Sequence, residues 1–200
     1  MTTSINRRPE TVLRRGFKAE AERIAIAMRE EIGLSAHDAL PAAALAKHLE
    51  IRIMTPDEIP GMDSQLRKTL LEDYKGNWSA GIYIKNNRKY ILHNPTHSLA
   101  RQESNLMHEL AHALCGHELK ELATVLTNCI IPLRDYDLVQ EAEAECLGGC
   151  LQLPQKALIH HVHYKKKDHS EIAQLFNASI KMVSFRISTT GINNIKFRGR

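Results

Sequence analysis

Two histidines four residues apart, the first followed directly by a glutamate, form the arrangement in this chain best suited to chemistry: His108-Glu109-Leu110-Ala111-His112. On a helix, residues i and i+4 share one face, one turn apart. Both imidazoles then reach a single tetrahedral Zn²⁺, and the glutamate lies near enough to take a proton from a water on that ion. The chemistry this spacing implies is metal-assisted hydrolysis, most often of a peptide bond. The setting supports a helix. Residues 101–115 contain no Gly or Pro, and Leu99, Leu106, Leu110, Ala113 and Leu114 recur at helical spacing. Pro95 precedes the segment and Gly116 closes it. An amphipathic helix with two incidental histidines would share that stripe, so the reading needs a further ligand.

A catalytic zinc takes three protein ligands and keeps a fourth position open. His117 is close in sequence, but the metzincin pattern places glycine three residues and a ligand six residues after the second histidine. Those positions hold Cys115 and Glu118, and His117 is expected instead at the helix end, near the last carbonyls. The other candidates lie in Gln140–Pro154, which reads as a second helix ended by its proline. Glu141, Ala144, Gly148 and Leu151 fall on one face, and the small residues there would let this helix approach the first closely. Glu141 is the favoured ligand; Glu143 and Glu145 offer the same oxygen chemistry. With Glu141 as ligand, Glu145 is a candidate to accept a hydrogen bond from a ligand histidine and fix its tautomer.

With these residues in view, the chain resembles the ImmA/IrrE-type zinc metallopeptidases. The resemblance rests on Trp78-Ser79-Ala80-Gly81, the Asn94-Pro95 turn, Arg101-Gln102 leading into His108–His112, and Glu141-x-x-Ala144 running to Leu153-Pro154. It covers residues 18 to 192. It implies zinc, one ion per chain, on His108, His112 and Glu141, with Glu109 as the catalytic base. It also implies a regulatory protease whose substrate is a protein such as a helix-turn-helix transcriptional repressor. Glu145 stands where the family has Asn or Asp, Leu147 where it has Phe, and Gly148-Gly149 where it has two alanines.

The elements that must position these residues can be read from patterning. Residues 1–10 are expected to be a disordered basic tail, 11–154 the metallopeptidase domain, and 155–200 a basic helical region. The expected fold class is α+β: a small antiparallel sheet packed on the two site helices, with a helical C-terminal part. Residues 11–32 and 41–49 read as helices, 51–54 as a strand, and 56–77 as a connection with one short helix. Trp78 to Ile84 and Tyr90 to His93 read as a hairpin turning at Asn86-Asn87. Strand 78–84, with Trp78, Gly81 and Tyr83, is the candidate edge along which a substrate backbone would lie. Tyr83, Tyr90, Tyr136, Tyr164 and a nearby histidine are candidate oxyanion donors.

Composition narrows the setting. No apolar run reaches bilayer length, the basic N-terminus lacks an apolar core, and four cysteines show no disulfide-framework spacing. A cytoplasmic protein with reduced thiols and no membrane partner is expected. Cys146 and Cys150 share a helix face and read as small buried hydrophobes. Residues 155–200 carry nine Lys and Arg against two acidic residues, while the preceding body is slightly acidic. Residues 170–187 fit a helix-turn-helix template, with Ser179 as N-cap, Val183 inward, and Lys181 and Arg186 available for nucleic-acid phosphates. The alternative function is therefore a non-catalytic DNA-binding or toxin–antitoxin component with a structural or silent metal site. The nearby His160, His161 and His163 are expected at the surface.

Overall fold

A computed structural model describes residues 13–73, 75–121 and 137–195. The expected N-terminal tail and Tyr136 lie outside the described residues. Helix α1 spans Phe17–Glu31 and begins after Gly16, whose φ of 88° sets the chain into the helix. A short helix α2, Ala42–His48, follows Pro41. Its first N–H donates to the Glu103 carboxylate, at 2.6 Å, so a side chain from elsewhere in the fold caps it. Strand β1 is Arg52–Met54, and the connection after it holds helix α3, Ser64–Lys68, capped by Asp63.

The hairpin forms where its residues predict: β2 is Ala80–Lys85 and β3 is Arg88–His93. Asn86 and Asn87 both take positive φ, 50° and 59°. That is the two-residue turn whose twist matches paired strands, and Asn tolerates it. The sheet order is β1-β3-β2-β4, with β4 the two residues Lys120–Glu121. The hairpin is its antiparallel centre, and β1 and β4 are added parallel on either side. The sheet is thus mixed within an α+β fold.

Asn94 turns the chain from β3 into helix α4, Leu99–Cys115. Fully buried, it donates to the Lys75 and Trp78 carbonyls and accepts from Thr96. Gln102 reaches back to the Pro95 and His97 carbonyls, fixing the start of α4. Helix α5 is Leu138–Gln152, capped by Asp137, which accepts from the Val139 and Gln140 N–H groups. Helices α6 (Gln155–Ile159), α7 (His169–Leu175) and α8 (Ile180–Thr190) follow, with a π-helical turn at His160–Tyr164 and a 3-10 turn at Ile192–Asn194.

The main core joins α1, α2, the inner sheet face, α4 and α5 through Phe17, Leu45, Ile82, Ile91, Leu110 and Leu147. Each such side chain stabilises the fold by about 1.5–3 kcal/mol when fully buried. A second core, with Leu153, Leu158, Ile172, Phe176, Val183 and Ile187, holds the C-terminal helices. Strand alternation puts Ala80 and Ile82 toward the main core and Tyr83 on the opposite face, with Trp78, Met54 and Leu92. Among the described residues no helix is long and apolar enough to cross a membrane.

Candidate metal centre

Helix α4 presents His108 and His112 one turn apart, and their Nε2 atoms converge to 3.1 Å. Helix α5 brings Glu141 to both: one carboxylate oxygen is 3.3 Å from His108 Nε2, the other 3.4 Å from His112 Nε2. Donor atoms about 2.0–2.2 Å from a tetrahedral ion stand roughly 3.3–3.6 Å apart. The spacings are of that size, with Glu141 meeting the two imidazoles through different oxygens, and the chemistry of the group, two imidazoles and a carboxylate, suits zinc. His108 and Glu141 keep about a quarter of their side-chain surface exposed, 25% and 24%, while His112 keeps 9%. The group is open on one side, as a site that admits a substrate must be.

The close crossing of α4 and α5 makes this possible. Gly148 lies against the α4 backbone; a Cβ there would stand 3.1 Å from His108 Cα and 3.2 Å from Met107 O. Ala144, one turn earlier, is fully buried. The small-residue face expected from the sequence is the contact.

Glu109 is 3% exposed, and its carboxylate accepts the Ile82 N–H of β2 at 2.9 Å. The inner sheet strand thus orients the residue in the catalytic position of the motif.

His117 has a part that its sequence position did not reveal. Gly116 ends α4 with φ 69°, the left-handed geometry glycine adopts freely. The chain then folds back, and the His117 N–H donates to the His112 carbonyl at 3.1 Å. The imidazole follows, setting His117 Nδ1 2.8 Å from His112 Nδ1. Its other nitrogen lies 3.3 Å from Glu143 Oε2, and Arg14 Nε is 3.2 Å from the second Glu143 oxygen. Cys115, His117 and Glu143 also form a group of metal-capable donors. Burial, and next the charge of Glu143, push the Cys115 thiol up to about 11.

Several expectations need correction. Glu145 makes no hydrogen bond to a ligand histidine; it is exposed and lines a groove with Lys18, Cys146 and Phe185. Glu143 is the acidic residue that reaches the histidine network. Arg186 is not available to phosphates: it is 7% exposed, paired with Glu22 at 2.6 Å, and donates to the Leu153 carbonyl. Its stem passes over Gly149, which has no Cβ to obstruct it. Lys181 is exposed on α8. His161 is buried rather than superficial, bonded to the His37 carbonyl and edge-on to Phe176.

The strand expected as an open edge is partly covered. β4 pairs with Tyr83 and Ile84, and the Ile82 N–H is taken by Glu109. Trp78 is 8% exposed and donates to the Leu70 carbonyl. The Tyr83 ring folds over Gly81, where an added Cβ would collide with its hydroxyl. These three residues pack the outer sheet face, with Tyr90 partly buried beside them. Tyr164 is exposed near His160.

The M78 peptidase family model, described as the IrrE N-terminal-like domain, matches residues 46–188. The chain belongs to this family. The M78 match includes every residue of the His–His–Glu group, and M78 membership carries a peptidase assignment at the level of the family. No curated protein matches the chain. Among solved structures, a Mycobacterium tuberculosis transcriptional regulator is similar over 90% of this chain, with 11% identity and a TM-score of 0.49. The chain spans 48% of that protein's length.

Proposed function

We propose that this M78-family chain is a zinc-dependent endopeptidase, regulatory in role, that cleaves a cytosolic protein such as a helix-turn-helix transcriptional repressor. The observation that carries the reading is the convergence of His108, His112 and the Glu141 carboxylate at 3.1–3.4 Å beside Glu109. When bound, zinc supplies Lewis acidity toward a peptide carbonyl and lowers the pKa of a coordinated water to about 7. His108, His112 and Glu141 would hold the ion. Glu109, its carboxylate steadied by the Ile82 N–H, takes a proton from the attacking water and returns it to the leaving amine.

The substrate class comes from the family resemblance. The alternative DNA-binding reading leaned on Lys181 and Arg186, and the ion pair of Arg186 with Glu22 draws support away from it.

The test is metal content and turnover together. Wild type should carry about one zinc per chain, as a single three-ligand site predicts. Glu141→Ala should lose it. Glu109→Gln should keep zinc while cleavage of a candidate repressor falls by about 10²–10⁴-fold. Full activity in Glu109→Gln, or no zinc in reconstituted wild type, would sink the reading.

A further inference from the structure

The contacts behind His112 have a direction that follows from elementary imidazole chemistry. A neutral imidazole carries one N–H and one lone pair. His112 Nε2 points to His108 and Glu141, where the lone pair must serve a metal, so on the metal-bound ring the proton sits on Nδ1. That proton faces His117 Nδ1 at 2.8 Å, which must then be the acceptor. His117 carries its own proton on Nε2, and that nitrogen faces a Glu143 oxygen at 3.3 Å. Glu143 accepts, and Arg14 on its other oxygen steadies the carboxylate. Each link has one donor and one acceptor. Reversing both protons would set the His117 Nε2 lone pair against the Glu143 carboxylate, so the carboxylate at one end and an ion on His112 Nε2 at the other select the same direction.

We propose that His117 is a positioning residue for the metal centre, holding His112 in its Nδ1–H tautomer and passing the pull of the Glu143 carboxylate to it. The inference rests on the metal reading above. Nδ1–H donation toward a carboxylate, direct or through one intervening ring, fixes ring orientation and makes the metal-bound nitrogen more basic. His117 is suited to this because its side chain is only 5% exposed and its backbone is tied by the Gly116 turn to the His112 carbonyl. The proposal also decides between two uses of His117 Nε2. Cys115, His117 and Glu143 are close enough to share an ion, and through the nitrogen that faces Glu143 they would need its lone pair. In the relay it carries the proton instead. With the rings where they stand, filling the His108–His112–Glu141 site forbids filling the second.

The experiment measures Zn²⁺ affinity of the full chain by competition with a chromophoric chelator, for wild type, His117→Ala, His117→Asn and Glu143→Gln. Imidazole ¹⁵N spectra of the zinc-loaded wild type are recorded alongside. The Ala variant should lose about 10- to 100-fold in affinity. Asn, whose amide oxygen can accept from His112, should recover most of that loss, which a merely space-filling role would not predict. Glu143→Gln keeps an acceptor oxygen without the charge and should lose less than Ala; it also stands in where Ala fails to fold. The spectra should show His112 protonated on Nδ1 and His117 on Nε2. Unchanged zinc affinity in His117→Ala, a His117 proton on Nδ1, or a second zinc bound through Cys115 overturns the relay alone. Wild type that binds no zinc overturns the metal reading and the relay with it.

Discussion

At the residue scale, three basic side chains, Arg29, His93 and His97, show how local environment governs stability. Arg29 has no exposed surface, and its guanidinium donates to the Ala25, Asp38 and Leu151 carbonyls. Burial pushes it down to about 10, so it remains charged at neutral pH. Arg29→Met keeps the aliphatic stem but abandons three acceptors, and hydrogen bonds to charged groups contribute about 1.5–3 kcal/mol each. A loss of at least about 3 kcal/mol in denaturant unfolding is expected, and an unchanged midpoint would refute it. His93 is shifted down by burial, against the opposing pull of Glu58, and His97 by burial and then Arg101. Both take a proton more readily in the unfolded chain. Their contribution is therefore intact above about pH 6.5 and lost as the pH falls through it. Melting temperatures recorded from about pH 8 down to pH 5 should decline, with a shallower decline in His93→Gln. An equal slope would assign the effect elsewhere. The histidines proposed to hold the metal were legible because His–x–x–x–His spacing maps directly to one helix face. His117 and Glu143 were not, because their meeting depends on the left-handed turn at Gly116 and on a helix 26 residues further along.

At the element scale, the α4–α5 crossing sets the site. Gly148→Ala would gain up to about 1 kcal/mol of helix propensity. Overpacking against a backbone that cannot rotate away costs about 1–3 kcal/mol. The two effects nearly offset for Ala, whereas Val, with two more methyl groups, should destabilise by more than about 2 kcal/mol. Because α5 also carries Glu141, zinc affinity should fall in step with stability across the Gly, Ala, Val series. A Val variant with wild-type zinc affinity would show that the crossing does not position the ligand. Both helices could be read from apolar periodicity and their Gly and Pro stops, and the hairpin from Asn86-Asn87. β4 could not: two residues are too short for any alternation, and only pairing with Tyr83 and Ile84 makes them a strand.

At the scale of the whole molecule, Glu22 connects the two cores. Its carboxylate receives Arg186 at 2.6 Å, the Gln155 N–H at 2.8 Å and the Cys150 thiol at 3.5 Å. Gln152 adds a bond to the Asn177 carbonyl. Glu22→Ala would leave Arg186 buried beside no counter-charge, and losing one partner of such a pair costs about 3–5 kcal/mol. Replacing both, Glu22→Leu with Arg186→Met, should cost much less than the single change. Thermal unfolding of the single and double variants checks this; equal losses would show that the pair is not a unit. The mixed α+β class was legible in the order of patterned segments. The role of Arg186 was not, since a positive charge on a helix-turn-helix template looks the same whether its partner is a phosphate or a glutamate within the same chain. The bond from the Ile82 amide to Glu109 has a practical side as well. One backbone proton in the sheet sits directly on the carboxylate proposed as the base, so its NMR resonance is a ready-made gauge of that group, shifting with an inhibitor, a lost ion or an added proton before any product is formed.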